Sequence, residues 1–567
     1  MSIVAPPEGY VLAPGGTWTV HGHFGHTFKR YSSVIKSAYL ILSGDKTEAV
    51  ETVPTSCNRE PGAPKLTIPP FAVANVGVPV AVIPYPKAVD VSGRREELSR
   101  GLQVPDPVAG LVARLFPSES LASDNGIPVN VLLSNRILTK EAYQIHFDPE
   151  RVMVVAQARE GLHYGLITLC QILRATRLHP DQFLFPTRGV ILDEPRLPFR
   201  GLLLDVARQV FTVDEILHVV DCMAWNKLNR LHLHLTDDCG WRLDIPRYPQ
   251  LVERGAQRGH GLLIPPSLGS AAEPYGNVFS ASDIRVLLDR AEALGITIIP
   301  EIEMPGHSYA ILQAMPDLRD PRDGDVGTNL LNPALPKTYE VVGNILDYVA
   351  YLFRSPYIHL GCDEVWEGAW TQSPMAKELM AEKGFTETYQ VQSHFLKTAQ
   401  AYVRDTLGRG IGVWEEAAKG GGFDPDRSYV TAWLTSGLDL AKAGYNVVST
   451  PKSKYYLDMT VSPDWWSPGM DPVVTPEICY AYDPSGDWPD EYKSKLMGVQ
   501  GCLWGEHIHE PKTRPHLRFP RLSAIAETGW TSVANKNFAR FIHLCGLMPT
   551  FENARLTLTS PGRNGPL

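Results

Sequence analysis

Apolar runs of strand length recur along the chain from residue 198 onward, and each run ends in a cluster of polar or aromatic residues. Stretches with apolar residues spaced three and four apart lie between several of these runs, which indicates amphipathic helices. Near-continuous apolar strands that alternate with helices are typical of a parallel sheet. Eight such runs in about 300 residues predict an α/β fold built as a (β/α)8 TIM barrel. The predicted strands are 201–208, 231–238, 296–303, 357–364, 410–416, 429–434, 445–450 and 499–506, and the predicted helices are 213–228, 281–295, 336–353 and 388–407.

One interval departs from this alternation. Between the fifth and sixth runs the string GGFDPDRS leaves little room for a regular helix, so we expect a loop there.

The first 195 residues have a different pattern, which predicts a smaller α+β domain. Strands are predicted at 129–135 and in the pair 142–147 and 151–157, which a DPE turn joins. A helical period follows at 159–175. We therefore expect an N-terminal companion domain over 1–195, and a catalytic barrel with a C-terminal helix and tail over 196–567.

Composition and charge narrow the function classes. The chain is 44% hydrophobic with 47 Gly and 47 Pro, which is globular but rich in loops and excludes low-complexity disorder. The net charge of −9 argues against nucleic acid or an acidic membrane surface as partner. No stretch approaches the roughly 18–20 apolar residues that a membrane span needs.

The eight cysteines are scattered and form no CxxC spacing, so we expect buried thiols rather than a metal centre or a disulfide scaffold. No cofactor and no metal are predicted. The first residues, MSIVAPPEGYVLAPGG, lack the basic and apolar regions of a secretory signal. We expect a cytoplasmic protein if the chain is complete, and a secreted one if an export signal has been removed.

Polar residues at the strand ends suggest the chemistry. In a barrel of this type the active site lies at the carboxyl ends of the strands, so these residues should converge. Carboxylates hold hydroxyl groups and transfer protons, while tryptophans stack on sugar rings, so the mixture is typical of a carbohydrate site. The residues are Asp205, Arg208, His234, Asp237, Asp238, Glu301, Glu303, Asp363, Glu364, Trp414, Glu415, Glu416, Trp433, Trp504 and Glu506.

The adjacent carboxylates of Asp363 and Glu364 are the most informative pair. Neighbouring residues on a strand point to opposite faces, so both can reach one cavity only at a strand end. Two carboxylates that share a site cannot both ionise freely, which pushes one pKa up toward that of a general acid.

An ordered set of strings carries a family resemblance: PFRGLLLDVAR, NKLNRLHLHLTDDCGWRLDI, PEIEMPGH, HLGCDEVW, YYLD and CLWGE. Together they resemble glycoside hydrolase family 20, the β-N-acetylhexosaminidases, over roughly residues 130–535. The resemblance includes the preceding α+β region, whose GLHYGLITLCQIL helix is similar to the one beside the family's barrel.

The resemblance implies roles for the central pair. Glu364 would protonate the leaving oxygen and then activate water. Asp363 would orient the substrate's own 2-acetamido group, whose oxygen attacks the anomeric carbon and gives an oxazolinium intermediate. This family is an exception to the scheme in which a second carboxylate attacks the sugar.

The resemblance also implies the substrate-binding residues. Arg200 would hold the O3 and O4 hydroxyls, Glu506 would hold O4 and O6, and Asp458 would lie near them. Trp414, Trp433 and Trp504 would wall the acetamido pocket, with Tyr456 donating to the acetamido carbonyl. Asp237 and His307, with Glu303, would position the catalytic pair.

Three positions depart from the family pattern. Cys362 replaces the second glycine before the Asp-Glu pair, Cys239 stands where glutamine is common, and Glu303 replaces the commoner aspartate. We expect none of them to contact the substrate. Trp465 and Trp466 lie in a loop after the seventh strand. The sequence favours neither of their two possible roles, contact with the substrate or packing within the protein.

Several alternatives remain. His232 and His234 form an HxH pair that a metal-dependent hydrolase would use, although the later strand ends lack its further ligands. A catalytically inactive carbohydrate-binding protein on the same barrel and a glycosidase with a protein nucleophile are others. Lacto-N-biosidases and enzymes for sulfated sugars also fall within the resemblance.

The expected function is that of an exo-acting, retaining β-N-acetylhexosaminidase that hydrolyses terminal β-linked GlcNAc or GalNAc. Its expected partner is an oligosaccharide or glycoconjugate that ends in such a sugar, and a homodimer is possible for barrels of this type.

Overall fold

The computed structural model describes residues 76–549 except 138, 321–328, 420–421 and 465–466, together with 11, 13–14, 38–42, 46–50 and 72–74. Trp465, Trp466 and the predicted tail after 549 lie outside the described residues. Seven of the cysteines fall within them, and all seven are free thiols, six of them buried. The prediction of scattered thiols is therefore confirmed for this part of the chain.

The first region holds a six-stranded sheet with the order β3-β8-β6-β7-β5-β4, beside a separate hairpin of β1 and β2. The predicted pair of strands around the DPE turn is present as antiparallel β6 and β7. The elements are β1 (Tyr39–Leu42), β2 (Lys46–Ala49), β3 (Ala88–Ser92), β4 (Leu102–Gln103), α1 (Val108–Leu115), β5 (Ile127–Leu133), β6 (Tyr143–Phe147), β7 (Val152–Ala156), α2 (Arg159–Leu178) and β8 (Arg188–Asp193).

Helix α2 packs against this sheet because its apolar residues recur at helical spacing. Leu166, Leu169 and Leu173 are all buried, and burial of each such side chain contributes about 1.5–3 kcal/mol. Gly165 faces Val154 and leaves no room for a larger residue, so the helix lies close to the sheet.

The second region is a closed barrel of eight strands, which confirms the predicted fold class. All eight neighbouring pairs are parallel, and the last strand pairs with the first. Each predicted run coincides with one strand. The barrel strands are β9 (Phe199–Asp205), β10 (Arg230–His234), β13 (Thr297–Met304), β14 (Tyr357–Gly361), β15 (Gly410–Trp414), β16 (Ser428–Ala432), β17 (Asn446–Ser449) and β18 (Leu496–Leu503), and a small pair, β11 (Thr236–Asp237) and β12 (Gly240–Trp241), follows β10.

The four predicted helices are present as α3, α5, α7 and α9. Capping boxes begin α3 at Thr212 and α5 at Ser280, where side chains satisfy the first backbone N–H groups. The helices of this region are α3 (Val213–Trp225), α4 (Gln250–Gly255), α5 (Ala281–Ala293), α6 (Tyr309–Ala314), α7 (Pro336–Leu352), α8 (Pro374–Lys383), α9 (Thr388–Asp405), α10 (Leu438–Lys442), α11 (Lys452–Tyr455), α12 (Pro476–Ala481), α13 (Asp490–Lys493), α14 (Arg514–Arg518), α15 (Arg521–Trp530) and α16 (Phe538–Leu544).

The expected loop between the fifth and sixth strands is also found. Among the residues described there, the connection contains one 3-10 turn, Glu415–Ala418.

In the part of the chain that the structure describes, no helix combines the length and apolar character needed to cross a bilayer.

Buried ion pairs join the two regions. Lys227, which follows α3, lies 3.2 Å from Asp193 at the end of β8, and both side chains are buried. Asp193 also accepts from the indole N–H of Trp530 at 3.0 Å. Arg200 near the start of β9 lies 2.7 Å from Glu141. Because an unpaired buried charge is strongly unfavourable, these pairs tie the sheet to the bottom of the barrel. The boundary at 195/196 itself stays a prediction.

Arg200→Met tests this junction. The fully buried guanidinium also donates to the carbonyls of Lys227 and Leu197. Its removal takes away these donors and the cation paired with Glu141, which keeps only hydrogen bonds to neutral groups, those from Tyr164 and Asn229. We expect the free energy of unfolding in urea to fall by about 3–5 kcal/mol. Arg136→Met, at an exposed position of the same region, is the matched control and should change it by less than about 0.5 kcal/mol. Equal effects of the two substitutions would contradict the assignment.

Candidate active site

The carboxyl ends of the barrel strands surround a cavity of about 160 Å³. Its wall combines carboxylates, cations and aromatic rings, as expected from the strand ends. The lining residues are Arg208, His307, Asp363, Glu364, Trp433, Lys452, Tyr456, Asp458, Met459, Met470, Trp504, Glu506 and His507.

Eleven residues were predicted for the site, and eight of them lie in the wall of this cavity. Trp414 and Asp237 lie in the layer directly behind the wall, each at most 2% exposed. Arg200 is the exception. The residues in the wall are Asp363, Glu364, His307, Trp433, Tyr456, Asp458, Trp504 and Glu506.

The prediction that Arg200 binds the sugar is wrong in this structure. Arg200 lies near the start of β9, at the end of the barrel opposite the cavity, where it is fully buried against Glu141. The arginine in the cavity wall is Arg208, which follows the other end of the same strand. Both arginines belong to the string PFRGLLLDVAR. Arg208 was predicted only as one of the residues at the strand ends, without a role in binding the sugar.

A left-handed turn lets two successive carboxylates reach one cavity. Gly361, Cys362 and Glu364 have φ of 67°, 72° and 51°, so the strand ends abruptly at Gly361. A Cβ atom at residue 361 would overlap the carboxylate of Glu303, which accepts the backbone N–H of Cys362 at 3.0 Å. Glycine is therefore required here, both for the positive φ and for this close approach.

Cys362 is buried beneath the pair. Its thiol donates to the carbonyl oxygen of Met304 at 3.0 Å, and burial raises its pKa well above the usual range. The thiol is therefore protonated and packs as a small side chain.

His307 places a positive charge between the two carboxylates. Its Nε2 atom lies 3.2 Å from Glu364 and 3.9 Å from Asp363, and its Nδ1 atom lies 3.1 Å from Asp238. Burial lowers the pKa of His307, but Asp237 and the hydrogen bonds to Asp238 and Glu364 raise it well above the usual value. The ring is therefore an imidazolium at neutral pH.

The two carboxylates have opposite shifts in the empty cavity. The hydrogen bond from His307 lowers the pKa of Glu364. Burial raises the pKa of Asp363, which the charge of His307 only partly offsets. The Oδ1 atom of Asp363 is buried and has no hydrogen-bond partner among the described residues. An orphaned acceptor in a cavity wall is positioned to receive a donor from a ligand.

Three carboxylates surround the guanidinium of Arg208. It lies 2.6 Å from Asp237, 3.2 Å from Asp205 and 3.9 Å from Glu506. Burial lowers its pKa, but these charges raise it well above the usual value. The cation is thus fully compensated, and it lies 5.2 Å from the ring centre of Trp504.

A buried carboxylate, Glu301, supports this arrangement from below. Its oxygens lie 2.5 Å from His234 Nδ1, 2.8 Å from His359 Nδ1, 2.9 Å from Trp414 Nε1 and 3.1 Å from His232 Nε2. Burial raises the pKa of Glu301, but the histidines hold it well below the usual range. Trp414 thus donates to Glu301 from the layer behind the cavity wall, next to Trp504, and its predicted contact with the acetamido group stays a prediction.

His234 connects this carboxylate to the cavity wall. Its Nε2 atom lies 3.0 Å from Asp237, which in turn contacts Arg208. Burial lowers the pKa of His234, but Glu301, Asp237 and Asp205 together raise it to about 10. Negative and positive groups therefore alternate from Glu301 through His234 and Asp237 to Arg208.

Three aromatic rings form one side of the cavity. The rings of Trp433 and Tyr456 are stacked at 12° with their centres 6.0 Å apart, and Trp504 lies 6.1 Å from Tyr456. The indole N–H of Trp433 donates to Glu416 at 2.9 Å, which fixes the ring plane. Burial raises the pKa of Glu416 to about 7.

Asp458 and Glu506 add two acidic side chains to the cavity wall. Burial and the neighbouring charge of Glu506 raise the pKa of Asp458 to about 8, so Asp458 is largely protonated at neutral pH. Its Oδ1 atom has no partner in the described part of the chain. The protonated carboxyl of Asp458 offers a donor and an acceptor, which suits sugar hydroxyls.

Three groups of histidine and carboxylate side chains are close enough to share an ion: His232, Glu301 and His359; His234, Glu301 and Glu303; and Asp237, Asp238 and His307. They belong to the networks described above. In the first and third groups each histidine lies at hydrogen-bond distance from a carboxylate, whereas Glu303 of the second group accepts the backbone N–H of Cys362.

Sequence reasoning missed several functional positions. Asp238 lies nearer to His307 than Asp237 does, at 3.1 Å against 3.7 Å. Asp237 also contacts Arg208 and His234. Both aspartates were expected at a strand end, but the sequence does not show which of two neighbours faces the cavity. Lys452 and His507 also line the cavity, and only their places just after β17 and β18 could have suggested this.

Gly361→Ala tests the turn below the catalytic pair. We expect the free energy of unfolding to fall for two reasons. The added Cβ overlaps the carboxylate of Glu303, and alanine must adopt the positive φ of residue 361. Gly384→Ala is the matched control, since Gly384 has the same φ of 67° and its Cβ would meet nothing within 4 Å. The control should cost about 1 kcal/mol and Gly361→Ala clearly more, as measured by urea denaturation. Equal losses would show that the overlap with Glu303 relaxes freely.

Known proteins resemble this chain in sequence and in structure. The family model "Glycosyl hydrolase family 20, catalytic domain" matches residues 197–533, and the model for domain 2 of that family matches 80–184. The β-hexosaminidase of Vibrio furnissii is 35% identical over 413 residues, which cover 70% of this chain and 67% of that protein. The β-hexosaminidase of Porphyromonas gingivalis is 32% identical over 423 residues, which cover 71% of this chain and 52% of that protein.

Among solved structures, the GH20 exo β-N-acetylglucosaminidase of Vibrio harveyi in complex with N-acetylglucosamine superposes with a TM-score of 0.81. It is 30% identical, and the match covers 93% of this chain and 85% of that one. The Streptomyces plicatus β-hexosaminidase superposes with a TM-score of 0.68 at 25% identity, over 83% of this chain and 95% of that one. The chain therefore belongs to glycosyl hydrolase family 20 and is a glycoside hydrolase, an exo-acting β-N-acetylhexosaminidase.

Proposed function

We propose that this cavity hydrolyses terminal β-linked GlcNAc or GalNAc with Asp363 and Glu364 as its catalytic pair. The observation that carries the proposal is the pair itself: one buried carboxylate with an orphaned oxygen, and beside it a more exposed one, both facing the imidazolium of His307. The natural oligosaccharide or glycoconjugate, and the predicted homodimer, stay predictions.

Glu364 acts as the general acid and then as the general base. Its side chain is 58% exposed in the empty cavity, so it can reach the oxygen between the sugar and its leaving group. A bound substrate removes water from around Glu364, which raises its pKa toward the value that proton donation needs. His307 restrains this rise through its charge.

Asp363 orients the nucleophile, which is the substrate's acetamido oxygen. Its free Oδ1 atom accepts the amide N–H of the acetamido group, which turns the carbonyl oxygen toward the anomeric carbon. The C–O bond to the leaving group breaks as the new C–O bond forms, and Glu364 supplies the proton to the departing oxygen. Asp363 stabilises the positive charge of the oxazolinium that results. Water then attacks the anomeric carbon as the bond from that carbon to the acetamido oxygen breaks, which regenerates the acetamido group. Glu364 takes the proton from the water, and the β-configuration is retained.

The remaining wall holds the sugar in this geometry. Trp433, Tyr456 and Trp504 enclose the acetamido methyl group and the face of the sugar ring. The ring centre of Tyr456 lies 6.0 Å from that of Trp433 and 6.1 Å from that of Trp504, so the three rings form one continuous apolar surface. Arg208, Asp458 and Glu506 bind the hydroxyls at the far end of the sugar. Holding a nucleophile that belongs to the substrate itself replaces an encounter between two molecules with an internal reaction.

Glu364→Gln and Asp363→Asn should lower activity in distinguishable ways. Glu364→Gln removes proton donation, so we expect a loss of about 10²–10⁴ in kcat/KM with a poor leaving group and a far smaller loss with a dinitrophenyl glycoside. Asp363→Asn weakens attack by the acetamido group, so the loss of about 10²–10³ should be similar for both substrates. Steady-state kinetics on the two glycosides measure the difference.

Glu367→Gln is the control for these variants, because Glu367 is exposed on the same loop and should leave both rates unchanged. A thiazoline mimic of the oxazolinium should inhibit the wild type strongly and Asp363→Asn weakly. Near-wild-type rates for Glu364→Gln on the poor leaving group, or no thiazoline inhibition, would contradict the mechanism.

His307→Gln should move the pH profile. The cation lowers the pKa of Glu364 by its hydrogen bond and partly offsets the raised pKa of Asp363, so a neutral glutamine lets both pKa values rise. Activity requires Asp363 ionised, which sets the acidic limb, and Glu364 protonated, which sets the basic limb. Because bound substrate raises the pKa of Glu364, the profile of kcat reports this pair, and we expect both of its limbs to shift to higher pH. His394→Gln on α9 is the control, and a profile that keeps its position would contradict this role of His307.

A further inference from the structure

An exposed tryptophan follows the catalytic pair in the chain. Trp366 is 48% exposed, while the other tryptophans that the structure describes are buried or half-buried. Its indole ring belongs to none of the hydrophobic clusters formed by the described residues. An indole offers a large and mostly apolar contact area, so one that is left open beside a sugar site indicates a surface for a ligand.

Chain connectivity keeps Trp366 close to the proposed proton donor. It is two residues after Glu364, so their Cα atoms are at most about 7 Å apart. Val365 between them points inward, where it packs against the cluster that contains Leu330 and Trp370. The residues on either side of Val365 are both exposed, the side chain of Glu364 at 58% and Trp366 at 48%. The acid and the indole therefore both face outward from this cluster.

A hydrogen-bonded turn presents the indole of Trp366. The carbonyl oxygen of Trp366 accepts the backbone N–H of Ala369 at 3.1 Å. The next tryptophan, Trp370, is buried, and its indole N–H donates to the carbonyl oxygen of Leu331 at 2.9 Å. A Cβ atom at residue 368 would lie 3.6 Å from the Trp366 ring, so the ring rests against the backbone of Gly368. A side chain that is held in this way loses little conformational freedom when a ligand binds.

The exposure of the two carboxylates marks the side from which the leaving group departs. In the proposed function the terminal sugar fills the cavity, and Glu364 protonates the oxygen that joins this sugar to the leaving group. The side chain of Glu364 is 58% exposed against 13% for Asp363, so this oxygen lies toward the mouth of the cavity. The first unit of the leaving group therefore lies beside Glu364 and within reach of the indole of Trp366.

We propose that Trp366 binds the sugar on the leaving-group side of the scissile bond, and that the fitting chemistry is a β-linked pyranose with equatorial hydroxyls. The axial C–H bonds of such a ring form two apolar faces, either of which stacks on an indole. The proposal rests on the proposed function, because Glu364 defines the leaving-group side. Trp366 contacts no reacting atom, so it selects the substrate and takes no part in proton transfer.

Two substrates that share the terminal sugar test the proposal: GlcNAc β-1,4-linked to GlcNAc, and methyl β-GlcNAc. Both need Glu364 to protonate a poor leaving group, but only the disaccharide carries a leaving sugar. Trp366→Ala should lower kcat/KM for the disaccharide by about five- to tenfold, the effect of one aromatic contact, and that for the methyl glycoside by less than about twofold. Trp366→Phe should keep most of the wild-type ratio, because it keeps a stacking face.

Tyr351→Ala is the matched control. Tyr351 is an aromatic residue that is 76% exposed near the end of α7, at the amino ends of the barrel strands, so both rates should stay unchanged. Equal losses of Trp366→Ala on the two substrates would show that the ring acts through the position of Glu364. Equal losses, or no loss on the disaccharide, would overturn the proposal.

Binding to variants that cannot donate the proton separates recognition from chemistry. In the Glu364→Gln background, Trp366→Ala should raise the Kd of the disaccharide by about five- to tenfold and leave the Kd of free GlcNAc unchanged. If both Kd values rise equally, the ring contacts the terminal sugar and the proposal is wrong. Failure of the proposed function would appear differently, as a wild type that hydrolyses neither the disaccharide nor an aryl β-GlcNAc.

Discussion

The carboxylate of Glu301 is the constraint on which the rest of the site depends. A charge that is fully buried in a barrel must be compensated by nearby donors, and Glu301 obtains them from three neighbouring strands. His232 and His234 come from β10, His359 from β14 and Trp414 from β15. This one group therefore fixes the rotamers of side chains across half of the barrel's upper layer. Through His234 and Asp237 its influence reaches Arg208 in the cavity wall.

The catalytic pair depends on a second departure from regular structure. Along an ideal strand Asp363 and Glu364 would point to opposite faces. The left-handed residues around them turn both carboxylates into one cavity, and Glu303 holds that turn by accepting the N–H of Cys362. The methylene that distinguishes Glu303 from the family's commoner aspartate is used here to reach the turn. The substitution of Cys362 is accommodated because its thiol points down to a backbone carbonyl.

The fold could be predicted from sequence because near-continuous apolar runs that alternate with helices indicate a parallel sheet, and eight of them match the strand number of a (β/α)8 barrel. The strand ends likewise located most of the site. Facing directions could not be predicted: Arg200 and Arg208 belong to one string, but the length of β9 separates them, so one binds Glu141 and the other lines the cavity. The same holds for Asp237 and Asp238. Their side chains point toward Arg208 and His307, respectively, and these partners are distant in the sequence. Lys452 lies in a short helix whose position depends on the whole barrel.

The last described helices pack on the first region of the chain, which has a consequence for synthesis. Thr531 donates to the carbonyl oxygen of Tyr85, and the guanidinium of Arg540 lies 3.9 Å from the ring centre of Tyr85. Arg174 of α2 donates to the carbonyl oxygen of Leu547. These partners are more than 370 residues apart in the sequence, so α2 and the segment around Tyr85 lack these contacts until the end of translation. Apolar surface that is exposed during synthesis favours aggregation, so the last helices protect the N-terminal region as well as completing the barrel.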